Sequence, residues 1–278
     1  MGTLKTEIHK KGQPQGVAPT GITMNIGGDT IPKNWLCYYG NAINPRIYNT
    51  FDLIVFDGYY HPPLDFRTGT SPRILGYLSV GEIDGKGPYW DLVKDMPFLI
   101  KENSRWGSWI VDVRDHAWQE LLFETFIPSI LDHGFDGLFL DTFDSALTVQ
   151  NFEGMDRALI DITKRIKATF PDTCIALNRG LTILPYLAHT IDYVVVEGLY
   201  SVYAGHDEGY IPVDNYAQNL LLTQIDEGLL ENPGLPVLTL DYASQEQTKL
   251  IKGAVSFSKI RGFIPYVGTY KLDEVFFY

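Results

Sequence analysis

Gly134-Phe-Asp-Gly-Leu-Phe-Leu-Asp-Thr-Phe-Asp144 is a glycine-bounded apolar run that ends in carboxylates. Ile191-Asp-Tyr-Val-Val-Val-Glu-Gly198 repeats the design further along the chain. Unbroken Val, Leu and Phe, without polar alternation, mark strands covered on both faces, as in parallel sheets. Asp141 and Glu197 then fall at C-terminal strand ends, where α/β folds keep their sites. Two carboxylates at that level suit glycosidic bond cleavage, one as acid/base and one as nucleophile or base.

Outward from these two stretches, six more runs predict strands, making eight: Trp35–Tyr39, Leu53–Phe56, Ile74–Val80, Gly137–Asp141, Cys174–Leu177, Tyr193–Glu197, Val237–Asp241 and Gly262–Tyr266. They alternate with helical stretches, the signature of βα units. A (β/α)8 TIM barrel needs about 250 residues, so residues 34–278 are expected to form one such α/β domain. Residues 1–33, rich in Gly, Pro, Thr and Lys and without period, read as an extended N-terminal arm. A ninth run, Trp109–Val113, reads as a short extra strand beside the barrel. Gly81–Gly87 is glycine-rich but lacks a phosphate-loop pattern, and reads as a mobile loop.

Helices are expected over His116–His133, with a kink or break at Pro128, over Phe152–Phe170, over Asn215–Leu230 and over Ser244–Ser258. In the last, Ser244 and Gln247 match a capping box.

In this count Asp141 ends the fourth strand and Glu197 the sixth. Next-but-one strands on a barrel rim stand on the order of 10 Å apart. A short Asp and a longer Glu pointing inward can close that gap to the roughly 5–5.5 Å of a retaining glycosidase. The competing interpretation is that each acid caps the next helix or pairs with an arginine. Other strand ends are also polar: Asp57 follows the second strand, Glu82 the third, Asn178-Arg179 ends the fifth and Asp241-Tyr242 the seventh, and Asp144 lies three residues past Asp141. Tyr38, Tyr77, Tyr200, Tyr203 and Tyr266 lie on or near strand mouths. Aromatic rings stack on sugar faces while acids and amides bond hydroxyls, so the mixture suits a carbohydrate in an open groove. The glycines of the Tyr200–Pro212 segment suggest a mobile wall over it.

The balance of 34 acids against 22 Lys plus Arg, a net charge of −12, argues against nucleic acid or anionic membrane as partners. Six scattered histidines show no zinc spacing, no Gly-x-Ser-x-Gly elbow occurs, and no cofactor or metal is expected. Cys37 and Cys174 lie inside apolar runs and read as buried thiols. No run reaches the ~18 apolar residues of a membrane span, and no signal-peptide core is seen.

Tyr77-Leu-Ser-Val-Gly-Glu82, Gly137-Leu-Phe-Leu-Asp-Thr-Phe-Asp144, Asn178-Arg-Gly180, Val196-Glu-Gly-Leu-Tyr-Ser201 and Leu240-Asp-Tyr-Ala243, five motifs in order, resemble the endo-α-1,4-polygalactosaminidases of glycoside hydrolase family 114. They are most similar to the hydrolase domain of Pel exopolysaccharide systems. The resemblance covers roughly Trp35 to Tyr266. It implies a (β/α)8 barrel that cleaves α-1,4-linked galactosamine or N-acetylgalactosamine polymers internally, with catalytic acids at Asp141 and Glu197, Glu197 being the acid/base. It also implies a polysaccharide partner and an extracellular or periplasmic location. The acidic balance then suits a cationic, partly deacetylated polymer. A sugar-binding barrel without turnover and a barrel enzyme of another class, such as a deacetylase, are the competing functions.

Overall fold

The computed structural model describes residues 31–278 apart from 43, 65–71 and 152. The arm expected over residues 1–33 therefore lies, up to residue 30, outside the described residues, as does the first residue of the helix expected from Phe152.

Eight parallel strands form a nearly closed barrel: β1 (Trp35–Tyr38), β2 (Leu53–Asp57), β3 (Arg73–Ser79), β4 (Gly137–Asp141), β5 (Cys174–Asn178), β6 (Tyr193–Glu197), β7 (Val237–Tyr242) and β8 (Ile264–Gly268). They are ordered in space as in the chain. Each neighbouring pair is parallel. Between β8 and β1 the seam is joined by Trp35 Nε1, which donates to the Ile264 carbonyl at 3.0 Å. The Tyr39 amide donates to the Leu272 carbonyl at 2.7 Å.

The strands form where the sequence is apolar throughout. Leu138, Phe139 and Leu140 of β4 are buried, as are Val194, Val195 and Val196 of β6. Each such side chain contributes roughly 1.5–3 kcal/mol when fully buried. Gly137 opens β4 because a Cβ there would meet the Cys174 carbonyl at 2.0 Å. The eighth strand begins two residues later than expected, because Gly262, at φ 77°, ends the preceding helix in the left-handed region.

The Trp109–Val113 run becomes Ser108–Val111, the central strand of a three-stranded antiparallel sheet after β3, flanked by Glu82–Asp84 and Leu99–Asn103. The Gly81–Gly87 segment is thus no free loop. Its centre is a strand, and the Gly85 amide bonds the Gly107 carbonyl at 3.0 Å. Tyr200–Pro212 likewise forms an antiparallel hairpin, Ser201–Tyr203 against Tyr210–Pro212.

Pro128 marks the break expected of it: the α-helix that starts at His116 stops at Leu121, and a new α-helical segment, Ile127–Asp132, opens with Pro128 in its first turn. A five-residue π-helical turn, Leu122–Phe126, precedes it, and the Ile127 amide bonds back to the Leu122 carbonyl. The wider turn accommodates a residue that has no amide proton to give. Helices Met155–Thr169 and Asn215–Leu229 lie where expected. The last helix starts at Thr248 rather than Ser244. The Gln247 side chain does bond the Ser244 amide, at 3.1 Å, but its nitrogen is drawn to the Tyr210 carbonyl, and the intervening residues form a turn.

Candidate active site

Five neighbouring strands each place one residue in a single hydrogen-bonded chain across the barrel mouth. Tyr77 of β3 donates to Asp141 Oδ2 of β4 at 2.9 Å. Asn178 Nδ2 of β5 donates to Asp141 Oδ1 at 2.8 Å and to Glu197 Oε2 of β6 at 2.9 Å. Tyr242 of β7 donates to Glu197 Oε1 at 2.7 Å. Both protons of the Asn178 amide are used, so its nitrogen must face the two acids. Its oxygen is buried without a hydrogen-bond partner among the described residues. The Asp141 and Glu197 oxygens that share this nitrogen are at most 2.8 plus 2.9 Å apart.

The backbone beyond Asp141 is strained. Thr142 has φ 67°, a left-handed conformation that is unusual for a β-branched residue. Its hydroxyl holds it there, accepting the Gly81 amide at 2.8 Å and lying 2.8 Å from the Ser79 hydroxyl. Such outliers persist where the surroundings over-determine them. Here the consequence is the direction in which Asp141 leaves β4. Gly81 is required for this approach, since a Cβ would meet the Thr142 carbonyl at 2.2 Å.

Burial, and after it the charge of Glu197, hold the Asp141 carboxyl above the ordinary carboxylate range, while the Thr142 amide, Asn178 and Tyr77 pull it back. The Tyr77 and Tyr242 hydroxyls are pushed well above their usual value, chiefly by burial, so they remain donors.

The pair lies in a cleft of about 910 Å³, near the upper end of ligand-pocket sizes. Asp57, Tyr77, Glu82, Asp144, Asn178, Arg179, Tyr203 and Tyr242 line it with Asp141 and Glu197. Glu82 is buried, and its carboxylate accepts from the Asn103 side-chain amide and the Ser108 hydroxyl. Asp57 accepts the Tyr59 and Tyr60 amides, both at 2.7 Å, on one oxygen. Neither has an ion-pair partner among the described residues. Asp144 pairs with Arg179 Nε at 3.0 Å and accepts the Gly180 amide, while Arg179 Nη1 bonds the Glu197 carbonyl at 2.9 Å. This pair tethers the end of β5 to the strands on either side.

Four expected site residues do not line the cleft. Tyr38 turns to the opposite face of β1, where its hydroxyl bonds the Ala42 carbonyl and its ring meets Phe56 edge-on. Tyr200 packs on Phe257, in the space that Gly253 leaves open. Tyr266 is fully buried against Trp35. Asp241 is fully buried and accepts the Tyr200 and Ser201 amides. Strand alternation turns Tyr38 and Asp241 away and loop direction turns Tyr200, whereas Tyr266 shares the face of Leu240 and Tyr242 and is covered by its packing on Trp35. Residues not anticipated there include Tyr39, which faces inward one place after Tyr38, and Tyr59, Tyr89, Trp106 and Tyr270. Tyr39 could have been found by parity on β1. The others sit in loops and carry no such signal. Among the described residues, no cluster of three His, Cys, Asp or Glu side chains could hold a metal ion. No helix among them is long and apolar enough to cross a membrane.

A family model for glycoside-hydrolase family GH114 matches residues 23–278. An uncharacterised protein of Deinococcus radiodurans is 28% identical over 253 residues, covering 85% of this chain and 79% of its own. Among solved structures, the glycoside hydrolase domain of PelA from Pseudomonas aeruginosa is 25% identical, with a TM-score of 0.77, over 88% of this chain and 97% of that one. Ega3 of Aspergillus fumigatus, solved in complex with galactosamine, shares the fold at 15% identity and a TM-score of 0.66, over 90% of this chain and 96% of its own.

Proposed function

We propose a function for a chain that belongs to glycoside-hydrolase family GH114: internal cleavage of an α-1,4-linked galactosamine or N-acetylgalactosamine polymer, with retention of configuration. The observation that carries the mechanism is the single Asn178 nitrogen bonded to both Asp141 and Glu197. It keeps the two carboxyls near the roughly 5–5.5 Å of retaining enzymes and short of the 6.5–9.5 Å that leaves room for an inverting water.

Glu197 protonates the glycosidic oxygen as Asp141 attacks the anomeric carbon. The carbon–oxygen bond breaks and a glycosyl ester forms on Asp141. Glu197, now ionised, takes a proton from water, whose oxygen displaces the ester and restores the starting configuration. The donors Tyr77 and Asn178 stabilise the Asp141 anion.

The choice of substrate is supported by the PelA likeness and by the galactosamine bound to Ega3. It also draws on the charge of the cleft, where Asp57 and Glu82 have no ion-pair partner among the described residues and suit the ammonium groups of deacetylated units. A polymer outside the cytoplasm is the natural target.

The test is product analysis on defined α-1,4-galactosamine oligomers, with the first anomer followed by proton resonance before mutarotation. Internal fragments with an α-anomeric end are expected. An initial β product would replace the mechanism with inversion. Binding without shortening would make the chain a sugar-binding barrel, and release of acetate alone would make it a deacetylase.

A further inference from the structure

Asp241 is buried without contributing to the cleft. Strand alternation turns it to the face of β7 opposite Tyr242, beside Val267 of β8. There Val267 joins an apolar cluster with Ala243, Ile251, Ala254 and Phe276. A carboxyl in such a place is costly unless its bonds compensate. One oxygen accepts the backbone amides of Tyr200, at 2.6 Å, and Ser201, at 2.9 Å, and the other has no hydrogen-bond partner among the described residues. Burial pushes the group up to about 6.

The two amides belong to the turn that leaves the active-site strand. Glu197 ends β6, and Gly198, in the left-handed region at φ 66°, reverses the chain and bonds the Leu240 carbonyl at 2.8 Å. The Tyr242 amide in turn donates to the Ser201 hydroxyl, at 3.2 Å. Ser201 then starts the hairpin that delivers Tyr203 into the cleft. Successive residues of β7 thus hold both parts of one unit: Tyr242 grips the Glu197 carboxylate inside the barrel, and Asp241 grips the following backbone outside it.

We infer that Asp241 is a positioning residue for the hydrolysis proposed above, fixing the Gly198–Tyr203 segment through the Tyr200 and Ser201 amides and thereby setting the place of Glu197 and Tyr203. The inference rests on the catalytic reading of Glu197. It uses only one carboxyl oxygen, so an asparagine, whose side-chain oxygen can accept the same two bonds, serves in its place.

The experiment compares the full chain with Asp241→Ala and Asp241→Asn. In Asp241→Ala the Tyr200 and Ser201 amides exchange about tenfold faster, the Glu197 carboxyl carbon resonance moves, and kcat on galactosamine oligomers falls roughly 10- to 100-fold while KM changes little. In Asp241→Asn all three return close to wild type. If Asp241→Ala fails to fold, Asp241→Leu, which fills the apolar layer without an acceptor, carries the same comparison. Faster exchange with an unmoved Glu197 resonance and unchanged kcat would reduce Asp241 to a loop anchor and overturn the inference, as would unchanged exchange. If the wild-type chain cleaves no galactosamine polymer, the proposed function fails by itself. Exchange and the Glu197 resonance still decide whether Asp241 positions Glu197.

Discussion

Tyr242 and Glu197 are joined by a 2.7 Å hydrogen bond from one barrel strand to the next. The hydroxyl stays protonated, held far above its ordinary value by burial and by the Glu197 charge. A hydrogen bond to a charged group contributes about 1.5–3 kcal/mol. Tyr242→Phe is therefore expected to lower kcat by roughly 10- to 100-fold with the fold intact. Steady-state kinetics on galactosamine oligomers checks it, and an unchanged kcat would remove Tyr242 from the reaction.

The two carboxyls are expected to separate by leaving group. Glu197→Gln removes the acid, so natural polymer turnover collapses while an aryl glycoside with an acidic leaving group still forms the glycosyl-enzyme and then stalls. Asp141→Asn blocks both substrates. The opposite pattern, with the aryl glycoside rescuing Asp141→Asn, would exchange the two roles.

Asp241 makes stability depend on pH in a defined direction. Its carboxyl is raised to about 6 in the folded chain, against roughly 3.9 when unfolded. The folded state thus keeps a proton that the unfolded state has lost. Stability from this group is full below about 4 and falls as pH rises through about 6. The shift corresponds to on the order of 3 kcal/mol. Burial and the Glu197 charge move Asp141 the same way. Thermal unfolding at pH 4 and pH 7.5 is expected to show a smaller difference favouring low pH in Asp241→Asn than in wild type. Identical differences would contradict the assignment.

Gly81→Ala drives a methyl group into the Thr142 carbonyl, 2.2 Å from the ideal Cβ position. The neighbour is backbone and already strained, so relief must move Asp141. A loss of roughly 1–3 kcal/mol is expected, together with a fall in kcat larger than that of a surface glycine variant such as Gly234→Ala. Equal kinetics for the two would mean that the Thr142 turn does not aim Asp141.

Tyr203 and Tyr270 stack in parallel, 4.1 Å between ring centres and 6° apart, at the cleft wall. Tyr270→Ala is expected to raise KM for long oligomers several-fold, on the scale of the ~0.5–1.5 kcal/mol of an aromatic pair, and to leave the shortest substrates unaffected. KM against chain length is the measurement.

The barrel was legible because its strands are apolar on both faces and bounded by glycine and proline, so their positions survive any detail of packing. Asp141 and Glu197 followed from being the residues at which those runs stop. What did not follow was which way a side chain points. Tyr38 and Tyr39 are adjacent, and only one faces the cleft. Asp241 and Tyr242 are adjacent in the same way. Period-two parity decides both, but needs a known inward residue on each strand. Trp106 and Tyr270 lie in connecting segments, where direction is set by tertiary contacts alone. The bond of one Asn178 nitrogen to two acids is a matter of tenths of an ångström, beyond the reach of spacing.

The seam between Trp35 and Ile264 spans 229 residues of chain. During synthesis the first barrel strand emerges long before its second neighbour exists, and it must wait with one edge unpaired. Chaperone dependence should therefore concentrate on this early strand, and in refolding the Trp35 indole should report the last event, since closure over so long a loop is slow. A circular permutation that brings β8 next to β1 in sequence would shorten the wait without changing a single contact of the cleft.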